Sequence, residues 1–261
     1  MKELRDIRKY IDPRLTILNK RLKNIKRIVA VASGKGGVGK TLVASTLSLV
    51  LAERNYKVGL LDLDFHGPSC HVVLGLFKPT VIENKGVVPI EVSGLKFMSL
   101  YNFAGNAHLP LRGEDISNLM IELLAITLWG DLDYLIIDMP PGTGDELLDL
   151  MRLIPRARVL IVTTPSLLSL ATVRRLVSLL RTQGVNILGV IENMSFNDDV
   201  VVKFTRDLKL KYLGRIPFDE KVEACLGRPK DLLKTKFAAR IRELADELTR
   251  QYRRASNTKN S

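Results

Sequence analysis

The feature that most constrains this chain is the segment of residues 34–41, with the sequence GKGGVGKT. It fits the pattern G-x-x-x-x-G-K-[ST], in which glycines let successive backbone N–H groups point toward phosphate oxygens. The apolar run Arg27–Ser33 comes before it and predicts a buried strand, and helical spacing of apolar side chains follows it. A strand, a glycine-rich turn and a helix in this order are the context that the pattern requires. The sequence therefore predicts a nucleotide site.

Two side chains of this loop have distinct expected roles. Lys40 is predicted to reach the β- and γ-phosphates, and Thr41 to offer its hydroxyl to Mg²⁺. The helix that begins near Lys40 adds the positive end of its dipole, which favours the same anion. The loop residues that we assign to nucleotide binding are Gly34, Lys35, Gly36, Gly37, Val38, Gly39, Lys40, Thr41 and Leu42.

Three aspartates follow apolar strands and are predicted to complete the site. Asp62 and Asp64 lie at the end of the predicted strand 58–62, and Asp138 ends a later apolar run. Carboxylates at the carboxyl ends of parallel strands line the nucleotide crevice. We expect Asp138 to hold Mg²⁺ directly or through water, and Asp64 to orient the attacking water. Asp62 is expected to support that water or the metal shell, which gives Thr41, Asp62 and Asp138 as the metal set.

Apolar strands alternate with amphipathic helices along the rest of the chain. This order predicts one α/β domain whose mainly parallel, twisted sheet has about seven or eight strands and helices on both faces. The predicted strands are 27–33, 58–62, 87–92, 95–100, 134–139, 158–163, 186–193 and 212–216, with a hairpin turn at 93–94. The predicted helices are 40–54, 116–128, 167–182, 221–226 and 231–252.

The two ends of the chain differ from its centre in composition. We predict a basic helical extension over residues 1–26, a nucleotide-binding domain over 27–252, and a polar, disordered tail over 253–261. The extension has one apolar stripe, which favours packing on the domain; membrane or partner binding is the alternative. The residues of that stripe are Leu15, Leu18, Leu22 and Ile25. A second stripe, expected to pack in the same way, is Phe237, Ile241, Leu244, Leu248 and Tyr252.

Composition argues against a membrane-spanning or disulfide-rich protein and bears on which partners the chain can bind. No apolar run reaches the roughly 18 residues of a membrane span, and two cysteines make no disulfide framework. We therefore expect a soluble, cytoplasmic protein. The formal net charge of +12 lies mostly at the ends, where only a few aromatic residues, Tyr10, Phe237 and Tyr252, stand among the charges. This pattern predicts weak, non-specific nucleic-acid binding. The mixed charges opposite the apolar stripe of residues 237–252 argue against membrane binding, because a membrane-binding helix has a basic polar face.

Longer motifs resemble one known group of proteins. Lys35, a second lysine in the loop, resembles the deviant loop of the MinD/ParA superfamily of P-loop ATPases. The segments 62–69 (DLDFHGPS) and 129–145 (WGDLDYLIIDMPPGTGD) are similar to the Mrp/ApbC branch of that superfamily. The resemblance implies that ATP is the nucleotide and that the protein is a homodimer. It also implies that Lys35 reaches the partner's nucleotide, so that the catalytic set is Lys35, Lys40, Asp62, Asp64 and Asp138.

The same resemblance implies a base site and a cargo. It places Asn193 beside the adenine, together with the segment Pro217, Phe218 and Asp219. Many members of the branch are iron–sulfur cluster carriers, with a C-x-x-C shortly after a Glu-Asn-Met-Ser motif. Here residues 192–195 match that motif, but FNDDVVV follows without a cysteine. Four thiolates normally hold a cluster, so we expect ATP or ADP and Mg²⁺ as cofactors and no cluster held by this chain alone.

Three other functions remain open on the sequence. One is a positioning ATPase of the MinD or ParA kind that acts on DNA or membrane through the basic ends. The second is a cluster carrier that borrows ligands from a partner. The third is a regulatory protein that binds nucleotide without hydrolysing it, against which Asp64 argues. The expected partners are a second copy of the chain and a protein client that the sequence does not identify, for which an iron–sulfur assembly or acceptor protein is one candidate.

Overall fold

The structure is a computed structural model that describes residues 12–105, 113–142, 144–196 and 199–257. Within them the chain forms ten strands and eleven helices. The strands are β1 (Ile25–Ser33), β2 (Val58–Asp62), β3 (Ile82–Glu83), β4 (Val87–Val88), β5 (Ile90–Val92), β6 (Leu95–Ser99), β7 (Leu132–Asp138), β8 (Arg158–Thr163), β9 (Ile187–Ser195) and β10 (Tyr212–Pro217). The helices are α1 (Pro13–Leu22), α2 (Lys40–Glu53), α3 (Cys70–Leu74), α4 (Tyr101–Ala104), α5 (Glu114–Ile126), α6 (Asp145–Leu153), α7 (Leu167–Thr182), α8 (Val200–Asp207), α9 (Lys221–Cys225), α10 (Pro229–Leu232) and α11 (Lys236–Asn257).

Eight of the strands form one sheet in the order β10-β9-β8-β1-β7-β2-β6-β5. All neighbours run parallel except β5, which is antiparallel to β6. The predicted turn joins these two strands, with positive φ at Ser93 (48°) and Gly94 (79°), a backbone conformation typical of tight hairpin turns. The sheet confirms the predicted fold class, and it places the loop after β1 at the centre of the carboxyl edge.

Both faces of the sheet are covered by helices, which explains the continuous apolar strands. Side chains alternate across β1, so that Ala30 joins the apolar cluster on one face and Val31 the cluster on the other. Helices α1, α5, α6, α7 and α8 contribute to the first cluster, and α2, α3, α9, α10 and α11 to the second. No helix of the described residues combines the length and the low polarity that a membrane span requires.

Helix α1 packs on the domain, as its apolar stripe predicts. Asp12 caps it by accepting a hydrogen bond from the Arg14 backbone N–H at 2.9 Å, and Leu18 and Leu22 are 1% and 3% exposed. Ile25 does not continue the helix but begins β1, where it pairs with Leu132. Pairing with β7 thus starts two residues earlier than the predicted strand.

The predicted last helix is in fact two helices. Helix α10 ends at Leu232, and α11 begins after Thr235, whose hydroxyl accepts the Ala238 N–H at 3.1 Å. The Asp219 carboxylate accepts the Phe237 N–H at 3.1 Å, and these two caps stabilise the new start. The apolar stripe of α11 is buried, and the helix runs to Asn257, into the segment predicted as a polar tail.

Candidate nucleotide-binding site

The glycine-rich loop joins β1 to α2 in the predicted context. Gly37 and Gly39 have φ of 77° and 80°. Residues with a Cβ rarely adopt this backbone conformation. Asn193 at the end of β9 donates from its amide nitrogen to the Val38 carbonyl at 2.9 Å. A Cβ on Gly39 would lie 2.3 Å from that same nitrogen. The loop is therefore held from β9, two strands away in the sheet, and glycine is required where the loop meets Asn193.

Gly34 lies against helix α7 and gives a test of the loop's packing. A Cβ there would lie 2.7 Å from backbone atoms of both Thr172 and Val173. We expect Gly34→Ala to lower the free energy of unfolding by about 1–3 kcal/mol, because helix backbone cannot move aside as a side-chain tip can. Gly36→Ala is the matched control, since its Cβ would meet no described atom within 4 Å. Thermal denaturation without nucleotide measures both, and equal melting temperatures would contradict the close contact.

The predicted phosphate lysine, magnesium hydroxyl and carboxylate meet in one place. The Lys40 ammonium lies 2.6 Å from Asp138 Oδ1, and the Thr41 hydroxyl donates to Asp138 Oδ2 at 2.6 Å. Asp138 is 0% exposed. Burial raises the pKa of its carboxyl, and the positive charge of Lys40 and the hydrogen bonds from Lys40 and Thr41 offset part of that rise. The buried carboxylate is thus stabilised by the two side chains that the loop motif supplies.

Asp62 is next to Asp138 in sheet register, and its carboxylate accepts hydrogen bonds from three backbone N–H groups. It is 1% exposed, and its oxygens accept backbone N–H groups from Asp64 at 3.1 Å and from Ser69 and Cys70 at 3.0 Å. Burial, and then the nearby charge of Asp138, raise the pKa of its carboxyl. Asp62 therefore shapes the loop that carries Asp64, and its part in a metal shell stays a prediction.

The two remaining predicted catalytic residues, Asp64 and Lys35, are both partly exposed. Asp64 is partly exposed, and one of its carboxylate oxygens lies 3.9 Å from the Lys40 ammonium. Lys35 is also partly exposed, and its backbone carbonyl accepts a hydrogen bond from the Ser33 hydroxyl at 2.9 Å. In the part of the chain that the structure describes, no carboxylate forms an ion pair with the Lys35 ammonium. Its charge is therefore available to a group outside these residues.

Cys70 is a neighbour of the site that the sequence did not assign to it. Its sulfur lies 3.7 Å from Asp138 Oδ2, and it is completely buried. Three possible ligand atoms lie within 4.8 Å of one another, one each from Cys70, Asp62 and Asp138. Burial, and then the charges of the two aspartates, raise the pKa of the Cys70 thiol well above its usual value. A neutral thiol is a poor ligand, so the oxygen donors of this group are the ones suited to a metal.

The donor set fits Mg²⁺ and phosphate. Mg²⁺ prefers oxygen ligands, which Thr41 and Asp138 would supply. Phosphate would be met by the backbone N–H groups of the loop, the start of α2 and the Lys40 ammonium. When bound, Mg²⁺ would neutralise charge on the phosphate oxygens. The predicted metal set also includes Asp62, and the assignment of these residues to Mg²⁺ and phosphate stays a prediction.

The residues predicted beside the adenine differ in their exposure and in their hydrogen bonds. Asn193 is 2% exposed, and its amide is engaged with the loop. Pro217 and Phe218 are exposed, with Phe218 at 64%. Asp219 accepts the N–H groups of Lys221 and Phe237, at 3.2 and 3.1 Å, so its carboxylate organises the local backbone. Contact with adenine stays a prediction for all four.

A polar network that runs from the buried Glu192, next to Asn193, to the exposed Asp199 is absent from the sequence predictions. Glu192 is 0% exposed and accepts a hydrogen bond from the Tyr212 hydroxyl at 2.7 Å. That hydroxyl accepts the Arg215 Nε–H at 3.3 Å, and Arg215 pairs with Asp199 at 3.0 Å. Asp199 stands in the segment that carries cysteines in the Mrp/ApbC branch; its neighbours 197 and 198 lie outside the described residues. The network links the strand that holds the loop to this segment.

The comparisons with known proteins agree with this geometry. A family model described as ParA, NUBPL iron-transfer P-loop NTPase, matches residues 24–252. An iron–sulfur cluster carrier protein of Pseudomonas fragi is 46% identical over 178 residues, 67% of this chain and 62% of its own length. A protein of the same name from Aquifex aeolicus is 39% identical over 220 residues, 78% of this chain and 60% of its own. The chain therefore spans less than two thirds of each relative's length.

A solved structure extends the match to three dimensions. The nucleotide-binding protein of Archaeoglobus fulgidus, in complex with ADP, has a TM-score of 0.70 and 32% identity, and the match covers 88% of this chain and 92% of that one. These findings confirm the resemblance to Mrp/ApbC-type carriers. Since the family model spans most of the sequence, the chain belongs to the ParA family, in the group of NUBPL iron-transfer P-loop NTPases.

Proposed function

We propose that this chain is a Mg²⁺-dependent ATPase that hydrolyses ATP slowly and alternates between open and closed homodimers. One observation carries the proposal. Lys40 and Thr41 already engage Asp138 within one subunit, whereas Lys35, from the same loop, has no carboxylate partner among the described residues. A second cation delivered across a dimer would stabilise charge on the transferring phosphoryl group, as an arginine finger does.

Replacing Asp64 tests the proposed hydrolytic step. Its carboxylate is partly exposed near Lys40, where it could orient a water for attack. We expect Asp64→Asn to keep ATP binding and to lower the hydrolysis rate by about 10²-fold, the usual size of a general-base effect. Phosphate release with Mg²⁺ measures the rate, and Asp149→Asn is the control for loss of an aspartate elsewhere. Unchanged hydrolysis would assign the water to another group.

We propose that the switch acts on a protein client, either an iron–sulfur assembly protein or an acceptor protein. Support comes from the relatives, which are named iron–sulfur cluster carrier proteins. Any cluster would be cargo rather than a resident cofactor. Closed and open dimers differ in their contacts, so ATP bound across the interface can shift their populations and thereby time capture and release.

We further propose that this chain does not hold a cluster by itself. Its only cysteines are Cys70, which is buried between carboxylates, and Cys225, which is partly exposed on α9. Burial keeps the Cys70 thiol protonated, whereas cluster iron needs thiolates. Anaerobic reconstitution with iron and sulfide should therefore leave no stoichiometric cluster on the purified protein. A stable cluster that is lost in Cys70→Ser or Cys225→Ser would contradict the proposal.

A further inference from the structure

Helices α7 and α8 form an open groove that the nucleotide site does not use. Its volume is about 390 Å³. Leu170 and Phe204 form an apolar floor and are 5% and 7% exposed, whereas the Leu167 wall is 79% exposed. The lining residues are Leu167, Leu170, Ala171, Arg174, Val200, Lys203, Phe204 and Asp207. A concave apolar surface between two helices is suited to the apolar face of a third helix.

The charges around this groove are mostly positive. Helix α7 carries three arginines and no acidic residue, and α8 carries a lysine, an arginine and one aspartate. Arg174 lies over the Phe204 ring, with the guanidinium carbon 5.3 Å from the ring centroid, so one cation stands directly above the apolar floor. Lys203 is exposed on the opposite wall. A segment that fills the groove would therefore meet cations on both sides of its apolar contact.

The positive charge around the groove indicates which kind of partner it would bind. A second copy of this chain would bring the same basic helices against each other, which like-charge repulsion opposes. A lipid surface is flat, whereas this groove is concave and would receive single side chains. We propose that the α7–α8 groove is a docking site for an amphipathic helix of a partner protein, with acidic residues beside its apolar face. Its anchors would be apolar side chains at the i, i+4 and i+7 spacing of one helix face.

The groove shares no lining residue with the predicted nucleotide site, and its test does not need turnover. The probe is a fluorescein-labelled synthetic helix of about four turns, with leucine at the anchor positions and glutamate beside them. Fluorescence anisotropy of the intact protein should show saturable binding. A second peptide with the same leucines but lysine in place of glutamate should bind at least about tenfold more weakly.

Variants of the protein distinguish the groove from general basic charge. Ala171→Glu places a carboxylate in the groove at an exposed helix position and should weaken binding of the acidic peptide by about tenfold or more. Arg174→Glu combined with Lys203→Glu should do the same. The charge-matched control is Lys230→Glu with Lys236→Glu, two exposed lysines outside the groove, and it should keep wild-type affinity. Thermal denaturation checks that each variant is folded.

Several results would overturn the proposal. These are absence of saturable binding at about 1 mM peptide, equal binding of the two peptides, and equal losses in the groove and control variants. Flotation with phosphatidylserine vesicles that Ala171→Glu abolishes, without peptide binding, would assign the surface to lipid instead. Self-association that Ala171→Glu abolishes, again without peptide binding, would assign it to a second copy.

Discussion

Replacing Lys35 with alanine is expected to lower the rate of ATP hydrolysis by about 10³-fold, the size seen for cations supplied in trans to a phosphoryl group. Nucleotide binding should persist, because the contacts of Lys40, Thr41 and the loop backbone remain within the subunit. ATP-dependent dimerisation should weaken, since the lysine would contact the partner's nucleotide. Phosphate release measures hydrolysis, and calorimetry with ADP measures binding. Lys230→Ala, at an exposed lysine far along the chain, is the control.

Mixing two inactive variants tests whether Lys35 acts across the dimer. In a mixed dimer of Lys35→Ala and Asp64→Asn, one site keeps its own Asp64 and receives Lys35 from the other subunit. Mixing should therefore restore part of the activity. If Lys35 acts on the nucleotide of its own subunit, both sites of the mixed dimer are defective and activity stays lost. Unchanged turnover in Lys35→Ala alone would also contradict the account.

Replacing Lys40 with alanine is expected to weaken ADP binding itself, by about 10³-fold. Hydrogen bonds to charged groups contribute about 1.5–3 kcal/mol each, so two lost contacts to phosphate account for about 4 kcal/mol, or three factors of ten. Lys40 is 6% exposed and is the buried cation that pairs with Asp138. Calorimetry with ADP and Mg²⁺ measures the affinity, with Lys35→Ala as the comparison that should bind normally.

The same variant has a second expected effect, on stability. Without Lys40, the fully buried Asp138 keeps only the Thr41 hydroxyl and the weak Cys70 contact among its described side-chain partners. An unpaired buried charge is costly, so the free energy of unfolding should fall. Near-ultraviolet circular dichroism would verify that the variant is folded at the temperature of calorimetry. Wild-type affinity for ADP in a folded Lys40→Ala protein would show that the loop is assigned to the wrong ligand.

The sequence predicted the parts of this protein that local pattern determines. The loop motif between an apolar strand and a helix located the phosphate site, and apolar runs that end in aspartate located Asp62 and Asp138. These two residues are 76 positions apart in sequence but direct neighbours in the sheet. Their meeting could be anticipated because parallel strands present their carboxyl ends at one edge.

Other features depend on distant contacts and could not be predicted in this way. Cys70 contacts Asp138 from 68 positions away, only because the loop from β2 folds back onto Asp62. The interruption between α10 and α11 is stabilised in part by Asp219, which lies 18 positions before Phe237. Glu192 could have been flagged as a charged residue within an apolar strand. Its partner Tyr212 could not, because the pairing of β9 with β10 brings them together.

Nucleotide-dependent dimerisation is the central claim of this account. Light scattering of the Asp64→Asn protein after size-exclusion chromatography tests it directly, since slow hydrolysis would preserve the ATP-bound form. With ATP and Mg²⁺ the account predicts a closed dimer with twice the mass of a single chain. The open dimer formed with ADP or without nucleotide lacks the contacts across the nucleotide and should dissociate on the column toward the mass of one chain. Adding Lys35→Ala to the same protein should return the mass with ATP toward that of one chain. A protein that binds ATP but keeps one mass under all three conditions would contradict the account.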